Sequence, residues 1–252
     1  GKDSTVMLHL VADEARQRGT TFGVLLVDLE GQYRVTIEHA ELCLDDCADI
    51  TDQYWVALPL ALRNAVSVYE PKWQCWEPGK EDIWVRPLPK RAINDEAYFP
   101  FFQRDMEFEE FVPEFGEWYA QGKKTACLVG IRADESLNRF RTIASRHKET
   151  VDGMQWTSVI TENVANVYPI YDWKTEDIWT YHGKHPDRPY NKLYDLMGMA
   201  GLKPSQMRIC QPYGDDQRRG LWLFHLIEPE TWARAVARVN GANGGSLYMQ
   251  EW

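Results

Sequence analysis

The first five residues, Gly1-Lys2-Asp3-Ser4-Thr5, place a glycine, two opposite charges and two hydroxyls directly before an amphipathic stretch. A glycine lets the backbone approach an anion closely, and a helix N-terminus offers free N–H groups and the positive end of its dipole. Lys2 adds charge, and Asp3 would repel a bare phosphate, so its presence predicts a bound Mg²⁺. The pentapeptide therefore predicts a phosphate-binding loop. The alternative is a plain helix start that Ser4 or Thr5 caps.

Residues 130–139 form a second candidate anion site, where a predicted strand ends and a predicted helix begins. Ligands collect at this position in open α/β sheets. The guanidinium groups of Arg132 and Arg139 could each hold phosphate or sulfate oxygens in a bidentate manner. Because further cations follow as far as Lys148, a solvent-exposed helix face is the alternative reading of this segment.

The histidines and cysteines give weaker signals. His182 and His185 lie in a segment rich in glycine and proline that could approach a ligand or simply be a solvated loop. Cys43 and Cys47 lie one helical turn apart and could bind a metal or form a redox pair. We see no histidine near them and favour two buried small side chains. The odd count of five cysteines fits a reducing cytoplasm better than a disulfide scaffold.

Apolar periodicity places these residues on alternating strands and helices. The first helix is expected to end near Gly19, and from Asn191 onward we expect only helices and loops, with Pro229 at a helix start. This alternation predicts a parallel sheet wrapped by helices. The predicted strands are 22–28, 54–60, 125–131 and 165–170, and the further predicted helices are 34–50, 134–147 and 175–181.

Residues 63–121 interrupt the alternation and read as an insertion that is rich in aromatic residues. Between positions 95 and 117 there are eight acidic residues and one basic residue. The insertion could be a lid, a subdomain or an interface. The alternative is that four aromatic side chains at near-helical spacing pack on the core while the acidic residues face water: Phe108, Phe111, Phe115 and Trp118.

Composition limits the classes of protein that remain. The chain has 252 residues, and the 44% that are hydrophobic exclude a disordered chain. The net charge of -10 argues against a protein that coats nucleic acid by bulk charge. The acidic net charge does not exclude a local basic pocket. No apolar run approaches the length of a membrane span, and no signal peptide is evident. Because the chain starts inside a motif, we expect a fragment that lacks a strand before Gly1.

Four segments resemble, in the same order, the phosphoadenosine phosphosulfate (PAPS) reductase branch of the adenine-nucleotide α-hydrolases. The first five residues resemble the end of the Ser-Gly-Gly-Lys-Asp-Ser pyrophosphate loop (PP-loop), and 130–139 has the spacing Gly-x-Arg-x-x-x-Ser-x-x-Arg. The resemblance implies a Rossmann-like parallel sheet flanked by helices over 1–215, with a helical extension at 216–252. The remaining segments are Pro169-Ile170-Tyr171-Asp172-Trp173, with Asp177-Ile178-Trp179-Thr180-Tyr181 after it, and Asn191-Lys192-Leu193-Tyr194-Asp195.

The insertion is similar to one subgroup, the immunoglobulin-binding regulator A proteins of bacteria and phages. The similarity lies in 58–67, Trp76, 84–87 and 106–111. It implies a protein partner of the ParB/sulfiredoxin-like type. The sequence leaves a homo-oligomer open.

The PAPS reductase resemblance also assigns roles to residues. Gly1, Lys2, Ser4 and Thr5 would bind nucleotide phosphates together with Arg132 and Arg139, and Asp28 would lie near the adenosine. Lys2, Asp3 and Arg132 would be catalytic, with Asp3 on Mg²⁺. The ligand would be ATP, PAPS or adenosine phosphosulfate (APS). Residues 1–252 do not contain the reductases' cysteine-containing tail, which a truncation after Trp252 would also remove. Cys210 stands alone where the iron–sulfur members have a second cysteine group, so we expect no iron–sulfur cluster.

Three functions compete at this point. The leading one is PP-loop chemistry at the α-phosphate of ATP or on a sulfonucleotide. The second is a regulatory or defence subunit that senses a nucleotide and docks its partner through the aromatic insertion. The third, RNA sulfur transfer, needs a basic RNA surface, which the net charge of -10 disfavours.

Overall fold

The computed structural model describes residues 1–209, 213–214 and 220–242, which divide into two compact units. The first unit comprises 1–22, 49–51 and 109–190, and the second comprises 23–48, 52–108 and the described part of 191–252. The helices are α1 (Lys2–Arg18), α2 (Arg34–Asp46), α3 (Phe108–Ala120), α4 (Leu137–Ala144), α5 (Thr175–Lys184), α6 (Leu193–Met199), α7 (Leu221–Ile227) and α8 (Pro229–Arg238). The strands are β1 (Phe22–Val27), β2 (Thr51–Val56), β3 (Ala61–Arg63), β4 (Lys72–Gln74), β5 (Thr125–Leu128), β6 (Thr157–Val159) and β7 (Val164–Val167).

Helix α1 begins and ends at glycines. Gly19 takes a left-handed conformation, with φ of 62°, and its N–H bonds the last turn, so the predicted helix end is confirmed. The expectation that Ser4 or Thr5 caps the helix is wrong, because Gly1 is the N-cap. Thr5 lies inside the first turn, where its hydroxyl donates to the Gly1 carbonyl at 3.0 Å.

A three-stranded sheet in the order β5-β7-β6 forms the centre of the first unit. Strands β5 and β7 are parallel, as predicted, while the short β6, which the sequence did not signal, is antiparallel to β7. Two apolar clusters hold the helices in this unit. Val6 of α1 packs with Ile170, Ile178 and Tyr181, and Ile143 of α4 packs with residues at the ends of β5 and β7.

The second unit holds the sheet β1-β2 and the antiparallel pair β3-β4. Backbone bonds run from Phe22 to Ile50 and from Asp28 to Val56, advancing together along both chains, so β1 and β2 are parallel. Strands β3 and β4 were not predicted, since they are only three residues long and lie in the aromatic insertion. Helix α8 starts at Pro229, as predicted.

Five of the insertion's aromatic rings are buried in the units to which they belong. Trp73, Trp76 and Phe99 are buried in the second unit, and Phe111 and Phe115 are buried in the first. The packing interpretation is therefore confirmed for Phe111 and Phe115, whereas Trp118 is half-buried and Phe108 is exposed. The α/β class with parallel strands and helices after Asn191 is also confirmed for the described residues. None of the helices in those residues is both long and apolar enough to cross a bilayer.

Candidate phosphate site

The predicted phosphate loop is the N-terminus of α1. Lys2 and Asp3 are buried, whereas Gly1 and Ser4 are exposed. The Lys2 Nζ lies 3.2 Å from an Asp3 carboxylate oxygen. The start of α1 is therefore accessible at Gly1 and Ser4, and two opposite charges are buried next to it.

Arg132 completes this cluster from the loop that follows β5. Its side chain is 1% exposed and its Nε donates to the Asp3 carboxylate. The other nitrogens lie 3.4 Å from Asp134, from the Trp173 carbonyl and from the Thr175 hydroxyl. The structure thus brings Arg132 to Lys2 and Asp3, although about 130 residues separate it from them in the sequence.

Gly130 explains how the two segments approach each other so closely. A Cβ built at this position would lie 3.0 Å from the Ser4 Cα and 3.1 Å from its backbone nitrogen. Both atoms belong to the first turn of α1 and cannot move aside as a flexible side chain could. Glycine therefore permits the close approach of the post-β5 loop to the phosphate loop, and a larger residue here would force one of the two backbones to shift.

The charge balance of the cluster favours an anion. The buried part of the cluster holds two cations and one carboxylate beside the positive end of the α1 dipole. The second carboxylate near Arg132, that of Asp134 at 3.4 Å, is half exposed, so water screens this pair more than the buried ones. A phosphate at the exposed start of α1 would lie close to both buried cations and would accept hydrogen bonds from backbone N–H groups there.

His182 was predicted to approach a ligand from a loop, whereas the structure places it on α5, beside the phosphate loop. Burial lowers its pKa, and the Lys2 backbone and the Asp3 carboxylate oppose this shift. Its Nε2 is buried and bonds no group in the described residues. The predicted helix at 175–181 extends to Lys184, and this extra turn carries His182 to the phosphate loop.

Arg139 does not join the cluster. It lies on α4 with its side chain 51% exposed, and its Nε is 4.0 Å from a Glu135 carboxylate oxygen. Its backbone N–H bonds the Ser136 hydroxyl, which caps the helix. The role of Arg139 on phosphate stays a prediction.

Asp28 belongs to the second unit, where its carboxylate has three protein donors. The Trp55 indole N–H lies 2.8 Å from one oxygen, and the Glu30 N–H lies 3.0 Å from the other. Arg86 also donates to this carboxylate. Both carboxylate oxygens of Asp28 thus accept hydrogen bonds from the protein. The adenosine contact of Asp28 stays a prediction.

The described residues offer no resident metal site, because no group of three or more acidic, histidine or cysteine side chains is clustered there. Asp3 supplies one carboxylate, which Lys2 and Arg132 already engage. This donor set fits a Mg²⁺ whose other ligands are nucleotide phosphates and water. Asp3 as a Mg²⁺ ligand stays a prediction.

The cysteines lie outside this cluster. Cys43 and Cys47 are buried, as predicted, but the expectation of no nearby histidine is wrong, because Cys43 Sγ lies 3.4 Å from His39 Nε2. His39 precedes Cys43 by four residues, so helical spacing could have revealed the contact. Cys210 lies outside the described residues.

Comparison with known proteins identifies the family. A family model described as the phosphoadenosine phosphosulfate reductase domain matches residues 1–198. The chain belongs to this family. Its α/β fold is therefore the Rossmann-like fold that the resemblance implied, and the narrower regulator A subgroup stays a prediction.

A second model and one relative extend the comparison. A domain of unknown function, DUF3440, matches residues 201–251. The uncharacterized protein YbdN of Escherichia coli (strain K12) is 48% identical over 251 residues, covering 98% of this chain and 61% of that relative. The chain thus spans about three fifths of the relative's length. The predicted boundary after residue 215 stays a prediction.

Proposed function

We propose that the chain binds an adenine nucleotide with its phosphates at the N-terminus of α1. The observation that carries this proposal is the buried cluster of Lys2, Asp3 and Arg132, which places two buried cations beside an exposed helix N-terminus. Membership of the PAPS reductase domain family supports an adenine nucleotide over other anions.

The reaction we propose is substitution at the α-phosphorus of ATP. A nucleophile on an acceptor attacks this phosphorus, the bond to the bridging oxygen breaks, and pyrophosphate leaves with the electron pair. Lys2 and Arg132 would neutralise charge on the phosphates, and the backbone N–H groups would hold them in line. A Mg²⁺ bound with the nucleotide would supply further charge neutralisation.

Asp3 has a positioning role in this proposal. Its carboxylate accepts from Arg132 and pairs with Lys2, so it holds both cations at the loop before any nucleotide arrives. Since the side chains are buried, little reorganisation is needed on binding. His182, with its buried Nε2, keeps bulk water from this side of the loop.

A sulfonucleotide, PAPS or APS, is the second candidate ligand, and the family name favours it. The same cluster would bind its phosphates or its sulfate, since both groups present anionic oxygens to Lys2 and Arg132. The two candidates differ in the product: pyrophosphate comes only from ATP.

The regulatory alternative predicted docking of a partner through the insertion's aromatic rings. Trp73, Trp76, Phe99 and Phe111 are buried, whereas Trp84, Phe101 and Phe102 are half-buried and Phe108 is exposed. Only part of the aromatic set is thus accessible to a partner, and this docking surface stays a prediction. The ParB/sulfiredoxin-like partner stays a prediction that no contact in the described residues addresses.

Titration calorimetry with ATP and Mg²⁺, PAPS and APS in parallel tests the proposal, together with an assay for pyrophosphate. Binding of ATP with pyrophosphate release supports attack at the α-phosphorus. A preference for PAPS or APS supports the sulfonucleotide instead. Failure of all three to bind would refute nucleotide binding at this loop.

A further inference from the structure

The second basic segment of the first unit has a surface that the nucleotide site does not use. Positions 136–148 contain four cations and no carboxylate, although the whole chain has a net charge of -10. They include all of α4, whose one buried side chain is Ile143. This segment is therefore positively charged, although the chain as a whole is acidic.

Helix α4 exposes apolar as well as charged side chains. Leu137 is 62% exposed and Phe140 is 51% exposed. Helical spacing places both on one face with Arg141, while Ile143 faces the core. We define the helix surface as Leu137, Phe140, Arg141 and the nearby Arg146.

The arginines of this surface have no internal partners. Within the part of the chain that the structure describes, neither the Arg141 nor the Arg146 guanidinium has a hydrogen bond or an ion pair, and both residues are exposed. Lys148 is different: its Nζ donates to the carbonyls of Ile143 and Gln155 at 2.8 and 2.6 Å. Lys148 thus stabilises the end of α4, and the arginines remain available to a ligand.

We propose that the helix surface binds single-stranded nucleic acid. Exposed guanidinium groups match phosphates in charge and geometry, and the exposed Phe140 ring beside Arg141 offers a face on which an unpaired base can stack. A duplex keeps its bases stacked and cannot use the ring in this way. The inference does not rest on the proposed nucleotide function, because it uses none of the residues of the phosphate cluster.

Fluorescence anisotropy with a labelled single strand of about 20 nucleotides, as DNA and as RNA, tests this inference. We use the full 252-residue chain without added nucleotide. Wild type should bind, and its affinity should fall as salt rises from about 50 to 200 mM. A duplex of the same length should bind more weakly. No binding of either single strand at the lower salt would overturn the inference.

Charge variants locate the surface. The double variant Arg141→Gln, Arg146→Gln should weaken binding about tenfold and reduce the salt slope by about 0.7 for each phosphate that is no longer neutralised. Lys123→Gln, at an exposed cation elsewhere in the same unit, is the matched control and should leave affinity unchanged. Equal weakening in the control, or unchanged binding in the double variant, would contradict the assignment.

The variant Phe140→Ala tests whether the ligand of the helix surface is a nucleic acid or an acidic protein. Removal of base stacking should weaken binding about fivefold or more while the salt slope stays the same. If polyglutamate of matched charge displaces the strand equally well and Phe140→Ala has no effect, the surface recognises acidic chains and the proposal is wrong. Because the substituted side chains are exposed, melting temperatures should stay at the wild-type value.

Discussion

Two clusters of buried charges, one in each unit, differ in how they are balanced. In the first unit, the buried Lys2 and Arg132 share the buried Asp3 carboxylate beside the exposed Gly1 and Ser4, and the second carboxylate near Arg132, that of Asp134, is half exposed. The buried His182 Nε2 has no partner in the described residues. This cluster has charge and donors to offer a ligand.

In the second unit, Asp28, Glu30, Arg86 and Arg238 carry two charges of each sign and are all buried. Glu30 has a φ of 62°, and its carboxylate accepts from two backbone N–H groups as well as from Arg238 at 3.2 Å. Burial raises the pKa of Glu30, while Arg238 and these N–H groups lower it. Two nitrogens of Arg86 are also buried without a hydrogen-bond partner in the described residues. The comparison teaches that neither burial nor a missing partner alone marks a ligand site. Buried cations beside an accessible helix N-terminus do.

The largest effect on stability should come from breaking the balanced cluster. Arg238→Met leaves the Glu30 charge buried without its cation, so the free energy of unfolding should fall by about 3–5 kcal/mol in urea titrations. Arg234→Met, at an exposed position of the same helix, should change it by less than about 0.5 kcal/mol. Adding Glu30→Gln to Arg238→Met should restore part of the stability. No restoration would mean that the charge is not the cause.

Substitutions in the first cluster should affect nucleotide affinity more than stability. Lys2→Ala or Arg132→Ala should weaken nucleotide affinity by about 1.5–3 kcal/mol, because each removes a charge-assisted hydrogen bond. Calorimetry measures this, with Arg18→Ala at the far end of α1 as the control. Wild-type affinity in both variants would show that the nucleotide binds elsewhere.

The packing that aligns the first cluster can be tested at Gly130. Gly130→Ala places a methyl group 3.0 Å from the Ser4 Cα, so the variant should lose about 1–3 kcal/mol of stability and part of its nucleotide affinity. Gly183→Ala, in α5 with open space around it, should be neutral or slightly stabilising. Chemical denaturation distinguishes the two, and equal effects would contradict the close approach.

The smallest expected effect is the pH dependence from His182. Since burial lowers the pKa of His182, the unfolded chain binds the proton more readily than the folded chain. This contribution to stability is present above the ordinary histidine pKa of 6.5 and is lost as pH falls below it. In melts between about pH 5 and 8, His182→Gln should flatten this slope. His147→Gln, at an exposed position, is the control, and an equal flattening there would contradict the assignment.

Local patterns in the sequence determined much of this protein. Apolar periodicity predicted α1 to Gly19, the parallel strands β1, β5 and β7, and the start of α8 at Pro229. The strand predicted at 54–60 overlaps β2 (Thr51–Val56) only in part, because residues 57–60 are buried and apolar without belonging to the strand. The strands β3, β4 and β6 were missed because three residues carry too little pattern.

Only the tertiary structure decided which charged residues meet. Arg132 and Arg139 look equivalent in the sequence, yet the first is buried on Asp3 and the second is exposed on α4. Likewise, Asp28 follows a strand as a ligand residue would, but its carboxylate is bound by Trp55 and Arg86. Pairing of buried charges depends on distances between segments far apart in the chain, which local spacing does not encode.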